Sequence, residues 1–358
     1  MTSKKTQHDE ETEHLATAKA GDERAFEALT RPLRREIHLH CYRMLGTLDN
    51  ADDALQETLL RAWRNLDRFE PRAPFRAWLY RIATNVCLTM LAQRTRRGEI
   101  ALTDLSNERE QAPRREGESR YLHPYPDDLL DELEPAVPGP EAAAEQREGV
   151  ELAFVAAVQH LPPRQRAALL LRDAVGYSAG EVATMLETSV AAVNSALQRA
   201  RITLVQERRA GRITRPHAHT GTAAEQDLVG RLVGAWHAAD VAAIVALLTD
   251  DALLTMPPQP ARYVGRQAIG AFLATVPGGG RLDQFRLVPT QANRQPAVAA
   301  YYRAGQAGAY EAHAVMILAI QGAAIASLVR FADPQLFRRF GLPTTLDDEV
   351  DGRRPSVT

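Results

Sequence analysis

A helix in the first third of the chain carries an aromatic, a basic and an amide side chain in one row. The stretch FRAWLYRIATNVCLTMLAQRTRR (75–97) has apolar residues spaced by threes and fours, which predicts a helix with one buried face. Beside that face lie Trp78, Arg81 and Asn85, with Thr84 next to them. Arginine attracts phosphate, an indole stacks on an unpaired base and an amide reads a base edge. The row therefore indicates contact with single-stranded or melted DNA, or else an indole that packs on the preceding helix.

A second pattern, YSAGEVATMLETSVAAVNSALQRAR (177–201), is typical of a helix-turn-helix. Ser178 and Glu181 form a Ser-x-x-Glu capping box that opens a short helix, and Ser189 can cap the next one. In that second helix the apolar residues predicted to face inward are Val190, Val193, Leu197 and Leu204, and the residues predicted to face outward are Ala192, Ser195 and Arg199, flanked by Ala191 and Gln198. The second helix of such a motif enters the major groove, so this segment is a candidate reader of duplex DNA.

Helical periodicity extends over most of the first hundred residues and returns later. Residues 14–97 are predicted to be helical, with a break at Pro32. DNADDALQETLLRAWRNL (49–66) is predicted to form one of these helices, with Asp49 or Asn50 as its cap and acidic residues in its first turn. Residues 151–209 hold several more helical segments. These elements would position both DNA-facing patterns.

The last third of the chain differs in character. Two helical stretches, 225–240 and 240–250, precede four β-like runs, which are DQFRLVPTQ, PAVAAYYRAG, YEAHAVMILAIQ and GAAIASLVRF. Turn residues separate the runs. Helices followed by consecutive strands predict an α+β domain with helices on one face of a curved antiparallel sheet.

Charge is segregated although the net charge is only −2. Residues 101–150 hold 13 acidic and 5 basic residues with six prolines, which predicts a flexible acidic linker. Residues 199–215 hold six arginines against one glutamate. Cys41 and Cys87 are the only cysteines, so neither a disulfide framework nor a structural zinc site is expected. The N-terminus has no signal-peptide pattern, and we expect a cytoplasmic protein.

The order of these motifs resembles the extracytoplasmic-function (ECF) sigma factors of bacterial RNA polymerase. The resemblance is carried by DNADDALQETLLRAWRNLDRF, FRAWLYRIATNVC and LPPRQRAALLLRDAVGYSAGEVATMLETSVAAVNSALQRAR. The segment WHAADVAAIVALLTDDALLTMPPQPARYVGRQAIGAFL, together with FADPQLFRRFGLP, is similar to the SnoaL-like domains fused behind sigma factors of the sigma-G type. The resemblance implies two all-α sigma domains followed by an α+β cone. The implied boundaries are region 2 at 12–100, an acidic linker at 101–149, region 4 at 150–212, a short linker at 213–223, the SnoaL-like domain at 224–342 and a tail at 343–358.

The resemblance also implies partners and roles. The partners are core RNA polymerase, through its beta-prime clamp helices and beta flap, and promoter DNA, with an anti-sigma protein or a ligand of the C-terminal domain as further candidates. The implied polymerase-binding residues are Asp52, Asp53, Gln56 and Glu57. The implied contacts to the −10 element are Arg76, Trp78, Arg81, Thr84 and Asn85. The implied contacts to the −35 element are Ser189, Ala192, Asn194, Ser195, Gln198 and Arg199.

The sequence departs from the family pattern at two places. Glu187 stands where the family usually has a glycine, and glycine accepts a left-handed turn without steric cost. Val193-Asn194-Ser195-Ala196-Leu197 stands where the family often reads Val-Lys-Ser-Arg-Leu. Two positive charges are therefore missing, which predicts weaker or differently selective −35 binding.

Two other readings of the sequence remain open. A one-component helix-turn-helix regulator with a ligand-sensing domain would leave residues 49–97 unexplained. An enzyme would place its chemistry in the SnoaL-like domain, where the candidate pocket residues are Trp236, His237, Asp240, Met256, Tyr263, Arg266 and His313. Asp240 can instead cap the helix that follows it. No nucleophile–base pair, metal cluster or phosphate loop is visible in the sequence, so no cofactor or metal is expected and catalysis is not the favoured reading.

Overall fold

The computed structural model of the protein describes residues 2–71, 73–96, 122–131, 151–209, 223–257, 259, 261–304 and 308–347, and of residues 2–9 and 208 it describes the backbone alone. The chain divides into two compact units. The first unit holds the described residues up to 96 and those from 155 to 209, and the second holds 122–131, 151–154 and 223–347. Among the described residues no helix is long and apolar enough to cross a membrane.

The N-terminal part of the first unit is a bundle of helices whose ends follow from local capping. Its helices are α1 (Thr2–Lys19), α2 (Glu23–Thr30), α3 (Arg34–Leu45), α4 (Leu48–Arg64) and α5 (Phe75–Arg96). The break predicted at Pro32 is confirmed, because a short 3₁₀ turn, Arg31–Leu33, separates α2 from α3. Gly46 ends α3 with a positive φ of 86°. The cap of α4 is Thr47, whose hydroxyl accepts from the Asn50 amide, so the expected cap at Asp49 or Asn50 was wrong by two or three residues.

The buried face of α5 consists of the apolar residues that the sequence periodicity predicts. Phe75, Leu79 and Val86 are buried, and Ile82 and Met90 are half-buried. Helix α5 packs against α3 and α4 in the bundle.

The remainder of the first unit is the predicted helix-turn-helix with two helices before it. Helices α7 (Leu152–Gln159) and α8 (Pro163–Leu169) lead into α9 (Ala179–Met185) and α10 (Val190–Arg209). The capping box is confirmed, since the Ser178 hydroxyl accepts from the Glu181 amide and the Glu181 carboxylate accepts from the Ser178 amide. Ser189 caps α10 by accepting from the Ala192 amide at 3.1 Å. Between the helices, Glu187 adopts the left-handed conformation with a φ of 52°.

The second unit is built on one sheet. Its strands are β1 (Leu248–Thr255), β2 (Arg262–Val264), β3 (Phe285–Ala292), β4 (Gln295–Tyr302), β5 (Tyr310–Gln321), β6 (Ala324–Phe331) and β7 (Thr345–Leu346). Their order is β2-β1-β6-β5-β4-β3, with β7 paired to β5. The helices are α11 (Ala223–His237), α12 (Val241–Ala246), α13 (Arg266–Thr275) and α14 (Gln335–Arg339). The apolar core includes residues of α11, α12 and α13 together with residues of the sheet.

The four predicted β-like runs are β3 to β6, but the sheet is not purely antiparallel. Strand β1 pairs with β6 in parallel, with Leu254 opposite Leu328. The sequence predicts a helix at the start of β1, because VAAIVALLTD is rich in alanine and leucine and does not alternate. Pairing with β6, about seventy residues later, decides its conformation.

Part of the predicted linker is ordered against the second unit. Residues 122–131 of the interval 101–149 are described, and they end in the single-turn helix α6 (Asp128–Asp131). Tyr125 is fully buried, its amide donates to Asn293 Oδ1 at 2.8 Å, and its carbonyl accepts from the Asn293 amide at 2.8 Å. Asp127 accepts from the Arg294 amide. The expectation of a flexible linker was therefore wrong for these ten residues; the rest of 101–149, and most of the short linker at 213–223, lie outside the described residues.

Candidate nucleic-acid and protein interfaces and an internal cavity

Helix α4 has an acidic face on which two side chains contact other protein groups and two are exposed to solvent. Asp52 Oδ1 lies 3.1 Å from His38 Nε2, and Glu57 accepts from Arg61 Nε at 2.6 Å. Asp53 and Gln56 are exposed. The four residues predicted to bind a partner thus share one face, and Asp53 is its exposed charge.

Arg76 lies at the start of α5 and is held by protein groups. Its Nε and Nη2 donate to both oxygens of Glu36 at 2.7–3.0 Å, and its Nη1 donates to the Tyr177 hydroxyl at 3.2 Å. Its guanidinium also lies over the Tyr80 ring, 4.8 Å from the centroid. Burial alone would lower the pKa of Arg76, but the hydrogen bonds to Glu36 and the neighbouring charges raise it overall. The side chain is therefore a charged group with its partners already in place.

Arg81 is paired across the first unit. Its Nη2 donates to Glu187 Oε1 at 2.7 Å, which joins α5 to the turn of the helix-turn-helix. The two side chains are 42% and 70% exposed, so water competes for the pair. An ion pair of this kind contributes about 0–1 kcal/mol. Glu187, which stands where the family usually has glycine, thus has both a positive φ and a contact with Arg81.

Trp78 is half-buried in an aromatic cluster. Its ring centroid lies 5.0 Å from that of Phe69 and 5.5 Å from that of Phe75. Phe69 belongs to the loop before α5, so these contacts fix the indole on the loop and on its own helix. Part of the ring remains accessible for stacking.

Thr84 does not lie on the DNA-facing surface. It is fully buried, its hydroxyl donates to the Tyr80 carbonyl at 2.8 Å, and it is 2.9 Å from His40 Nε2. Because that hydroxyl already donates, the imidazole is the donor in the second bond, and burial lowers the pKa of His40 to about 3. The assignment of Thr84 as a DNA contact was wrong in this arrangement; Asn85, the next residue, is half-buried and stays a candidate.

Helix α10 leaves its predicted DNA-facing side in solvent. Val193 and Leu197 are buried, whereas the exposed positions are Ser189, Ala192, Asn194, Ser195, Gln198 and Arg199. Val190, the first residue of α10, was predicted to face inward but is 46% exposed. Short outward side chains at the start of α10 let the backbone approach the major groove. Gln198 and Arg199, one to two turns later, are long enough to reach bases or phosphates there.

A buried arginine that the sequence analysis missed joins the two halves of the first unit. Arg166, in α8, donates through Nη1 to the Met44 carbonyl and to Gln159 Oε1, and through Nη2 to the Gln159 carbonyl at 2.8 Å. Gln159 Nε2 in turn donates to the Arg43 carbonyl at 2.9 Å. Burial lowers the pKa of Arg166 to about 10. The sequence gives no signal for this role, because PPRQR reads as an ordinary exposed helix start.

The second unit encloses a cavity of about 290 Å³ between the sheet and helices α11 to α13. Three of the predicted pocket residues, Trp236, Met256 and His313, line it. His237 and Tyr263 lie elsewhere: His237 Nε2 accepts from the Leu287 amide at 3.0 Å, and Tyr263 packs on Phe272 with centroids 4.5 Å apart. Asp240 caps α12, and Arg266 pairs with Asp250 on the surface. Arg330, which the sequence analysis did not single out, lines the cavity.

Comparisons with known proteins cover all three predicted parts of the chain. Sigma-70 region 2 matches residues 29–97, the region 4 family matches 151–204, and a SnoaL-like domain matches 229–333. The ECF RNA polymerase sigma factor SigG of Mycobacterium tuberculosis is 41% identical over 327 residues, which are 90% of this chain and 85% of that protein. The ECF sigma factor SigM of the same organism is 31% identical over 198 residues, covering 55% of this chain and 83% of SigM.

A solved structure shares the fold. The crystal structure of the extracytoplasmic function sigma factor SigJ of Mycobacterium tuberculosis matches with a TM-score of 0.57 at 23% identity, covering 90% of this chain and all of that one.

Proposed function

Because the chain belongs to the extracytoplasmic-function (ECF) RNA polymerase sigma factors, we propose that three surfaces of its first unit divide the work of promoter recognition. Helix α4 binds core polymerase, α5 captures the opened −10 strand, and α10 reads the −35 element. The observation that carries the proposal is the α9–α10 pair, where both caps are formed and the outward side of α10 is in solvent. The protein then acts in the cytoplasm, where core polymerase is.

The polymerase contact rests on the open part of the acidic face. Asp53 and Gln56 are exposed, and Asp52 and Glu57 lie beside them in contact with His38 and Arg61, which a polymerase surface could replace. We infer that this face meets the beta-prime clamp helices and that region 4 meets the beta flap. An acidic face binds best to a basic one, and such charge pairing sets partner choice and association rate.

The −10 contact rests on Trp78, Arg81 and Asn85, with Arg76 at the start of the row. A half-buried indole and a half-exposed guanidinium suit an unpaired base and its phosphate. In this arrangement Arg81 has a carboxylate partner, so DNA must displace Glu187 to reach it.

The C-terminal unit regulates these steps, we infer, through the segment it holds. Residues 122–131 lie between regions 2 and 4 in the sequence, and Tyr125, Asp127 and Asp131 are bonded to Asn293 and Arg294 of the second unit. Fixing the middle of the connecting chain shortens its free length on both sides, which limits the arrangements that the two sigma regions can take. A ligand or an anti-sigma protein that binds the second unit could change that limit.

Run-off transcription with purified core polymerase and random promoter DNA tests the whole proposal. Full-length protein should yield specific transcripts. Asp53→Arg with Glu57→Arg should abolish transcription and co-purification with core, while Asp67→Arg, an exposed acid after α4, serves as the control. Truncation after residue 215 should change output several-fold with core binding retained.

Two results would overturn parts of this proposal. Undiminished core binding by the double variant would remove the α4 assignment, and promoter binding without any core association would favour the one-component regulator. Equal output from full-length and truncated chains, with and without cell extract, would leave the second unit without a regulatory role.

A further inference from the structure

We propose that the cavity of the second unit binds a small, mainly apolar organic acid, with its carboxylate on Arg330 and its apolar body among the side chains of the wall. The proposal concerns binding to this unit alone and does not depend on the sigma activity. At about 290 Å³ the cavity lies at the lower end of the range for small-molecule sites.

The wall selects an apolar body. Ile244 and Leu254 line the cavity from α12 and β1, Phe272 lines it from α13, and Met316 and Leu328 line it from the sheet. Removing apolar surface from water stabilises a complex by about 25 cal/mol per Å². A polar or highly charged molecule would lose its hydration here without finding enough partners.

Arg330 supplies a positive charge that the protein leaves unbalanced. Its hydrogen-bond partners are His313 Nε2 at 2.7 Å and the weak acceptor Met256 Sδ at 4.0 Å. Across the described ranges, none of the ion pairs includes Arg330. A guanidinium has five N–H donors in a planar fork that matches a carboxylate. His313 and Met256 are neutral acceptors and use two of the five donors. Most of the N–H donors of Arg330, and its positive charge, therefore remain available to a ligand.

His313 holds the guanidinium and is itself placed by an irregularity of the sheet. The pairing of β4 with β5 passes from Ala300–Ala314 to Tyr301–Ala312, so His313 is the extra residue of a β-bulge. A bulge redirects a side chain, and here His313 joins the wall between Phe285 and Tyr302. Since Arg330 donates to its Nε2, the imidazole is neutral. Burial and the nearby Arg330 lower the pKa of His313 to about 4, in agreement with that state.

Trp236 contributes its ring to the apolar wall. The side chain is 5% exposed and lines the cavity, and its Nε1 is buried without a hydrogen-bond partner among the described residues. Because that nitrogen has almost no accessible surface, Trp236 offers the ligand its indole ring and not its donor.

The same wall argues for binding rather than for catalysis. Its described residues include no aspartate, glutamate, serine or cysteine, and the single histidine already accepts a hydrogen bond from Arg330. The other polar residues of the wall, Tyr302 and Gln259, carry a phenol and an amide, neither of which is a strong base. Proton abstraction from a substrate needs a base with a free lone pair within reach of the proton. We therefore assign the cavity to a ligand that enters and leaves unchanged.

Isothermal titration calorimetry on the full chain tests the proposal with octanoate as the probe. Octan-1-ol has the same apolar tail without the charge, and octylammonium carries the opposite charge. We expect saturable binding of octanoate, binding of octanol weaker by about tenfold or more, and no binding of octylammonium, since a hydrogen bond to a charged group contributes about 1.5–3 kcal/mol. Equal affinities for octanoate and octanol would overturn the proposal. Failure of both octanoate and the shorter aromatic acid benzoate to bind saturably would also overturn it.

A variant of Arg330 tests the assigned carboxylate partner. Arg330→Met keeps most of the side-chain length and should abolish the preference for octanoate over octanol, whereas Arg266→Met, at a surface arginine of the same unit, should leave it unchanged. If Arg330→Met fails to fold, the comparison of the three probes on the natural chain still decides the outcome. A preference for octanoate that survives Arg330→Met in a folded variant would refute the assigned site.

Discussion

The two proposed DNA-facing surfaces of the first unit, on α5 and on α10, differ in how many of their side chains are already bonded to other protein groups. On α10 the outward residues stand in solvent, and Ser189 is engaged only as a cap. On α5 Arg76 is bonded to Glu36 and Tyr177, and Arg81 is bonded to Glu187. Tyr177 and Glu187 belong to the helix-turn-helix half of the unit. On the proposed roles, α10 would meet DNA as it stands, whereas DNA at α5 would compete with the protein partners of Arg76 and Arg81.

The contacts between the two halves are unequal in strength. The exposed pair of Arg81 and Glu187 contributes about 0–1 kcal/mol, which DNA phosphate can readily replace. Arg166 and Gln159 form buried bonds to the carbonyls of Met44 and Arg43, and breaking those leaves polar groups without partners. We therefore expect Arg166 to contribute more to holding the two parts together than the pair of Arg81 and Glu187 does.

The largest expected effect comes from Arg166→Met. The variant removes the donors of buried carbonyl groups, each of which then costs about 1–3 kcal/mol, so we expect a loss of about 3 kcal/mol or more in the free energy of unfolding of the first unit. We also expect the two halves to separate. Urea titration measures the first effect, and the distance between spin labels at Thr89 and Gln198, both exposed, measures the second.

Arg164→Met is the matched control for that experiment, because Arg164 lies in the same helix and is exposed. An unchanged label distance in an Arg166→Met protein that keeps its helical circular dichroism would show that other contacts hold the arrangement.

A smaller effect is expected on the open surface. Arg199→Ala should weaken promoter binding by the holoenzyme by about 1–3 kcal/mol if the guanidinium makes a bidentate base contact. Arg201→Ala is the control, since Arg201 is also on α10 but is bonded to Asp173 at 3.1 Å. Affinities for promoter variants, measured at several salt concentrations, distinguish a base contact from a phosphate contact. If both variants bind like the natural chain, Arg199 lies off the interface.

The sequence predicted those features that depend on neighbours close in the chain. The capping box at Ser178 and Glu181, the cap at Ser189, the break at Pro32 and the runs that form β3 to β6 all follow from local spacing. The open surface of α10 follows from the same periodicity. The family and the order of its regions also follow from local motifs, since the motif sets recur in the matched intervals.

What failed depends on residues far apart in the chain. Thr84 was assigned to the surface because it lies beside the core stripe of α5, but His40 of α3 covers it. Tyr125 was assigned to a linker because its surroundings are acidic and rich in proline, but Asn293 supplies both of its backbone bonds. Arg166 gave no signal, because a buried arginine and an exposed one look alike until the carbonyls that they meet are known.

The smallest expected effect tests whether Glu187 limits access to Arg81. Glu187→Gln removes the charge and keeps the positive φ, so affinity of the free chain for a single-stranded −10 oligonucleotide should rise by no more than about fivefold, the equivalent of 1 kcal/mol. Glu187→Gly should raise the affinity equally and should also stabilise the turn by up to about 1 kcal/mol, because glycine adopts a φ of this sign without strain. Fluorescence anisotropy measures the first effect and thermal unfolding the second. The double variant Arg81→Ala, Glu187→Gln is the control. If its affinity for the oligonucleotide equals that of Glu187→Gln alone, the higher affinity does not depend on Arg81, and Glu187 does not limit access to Arg81.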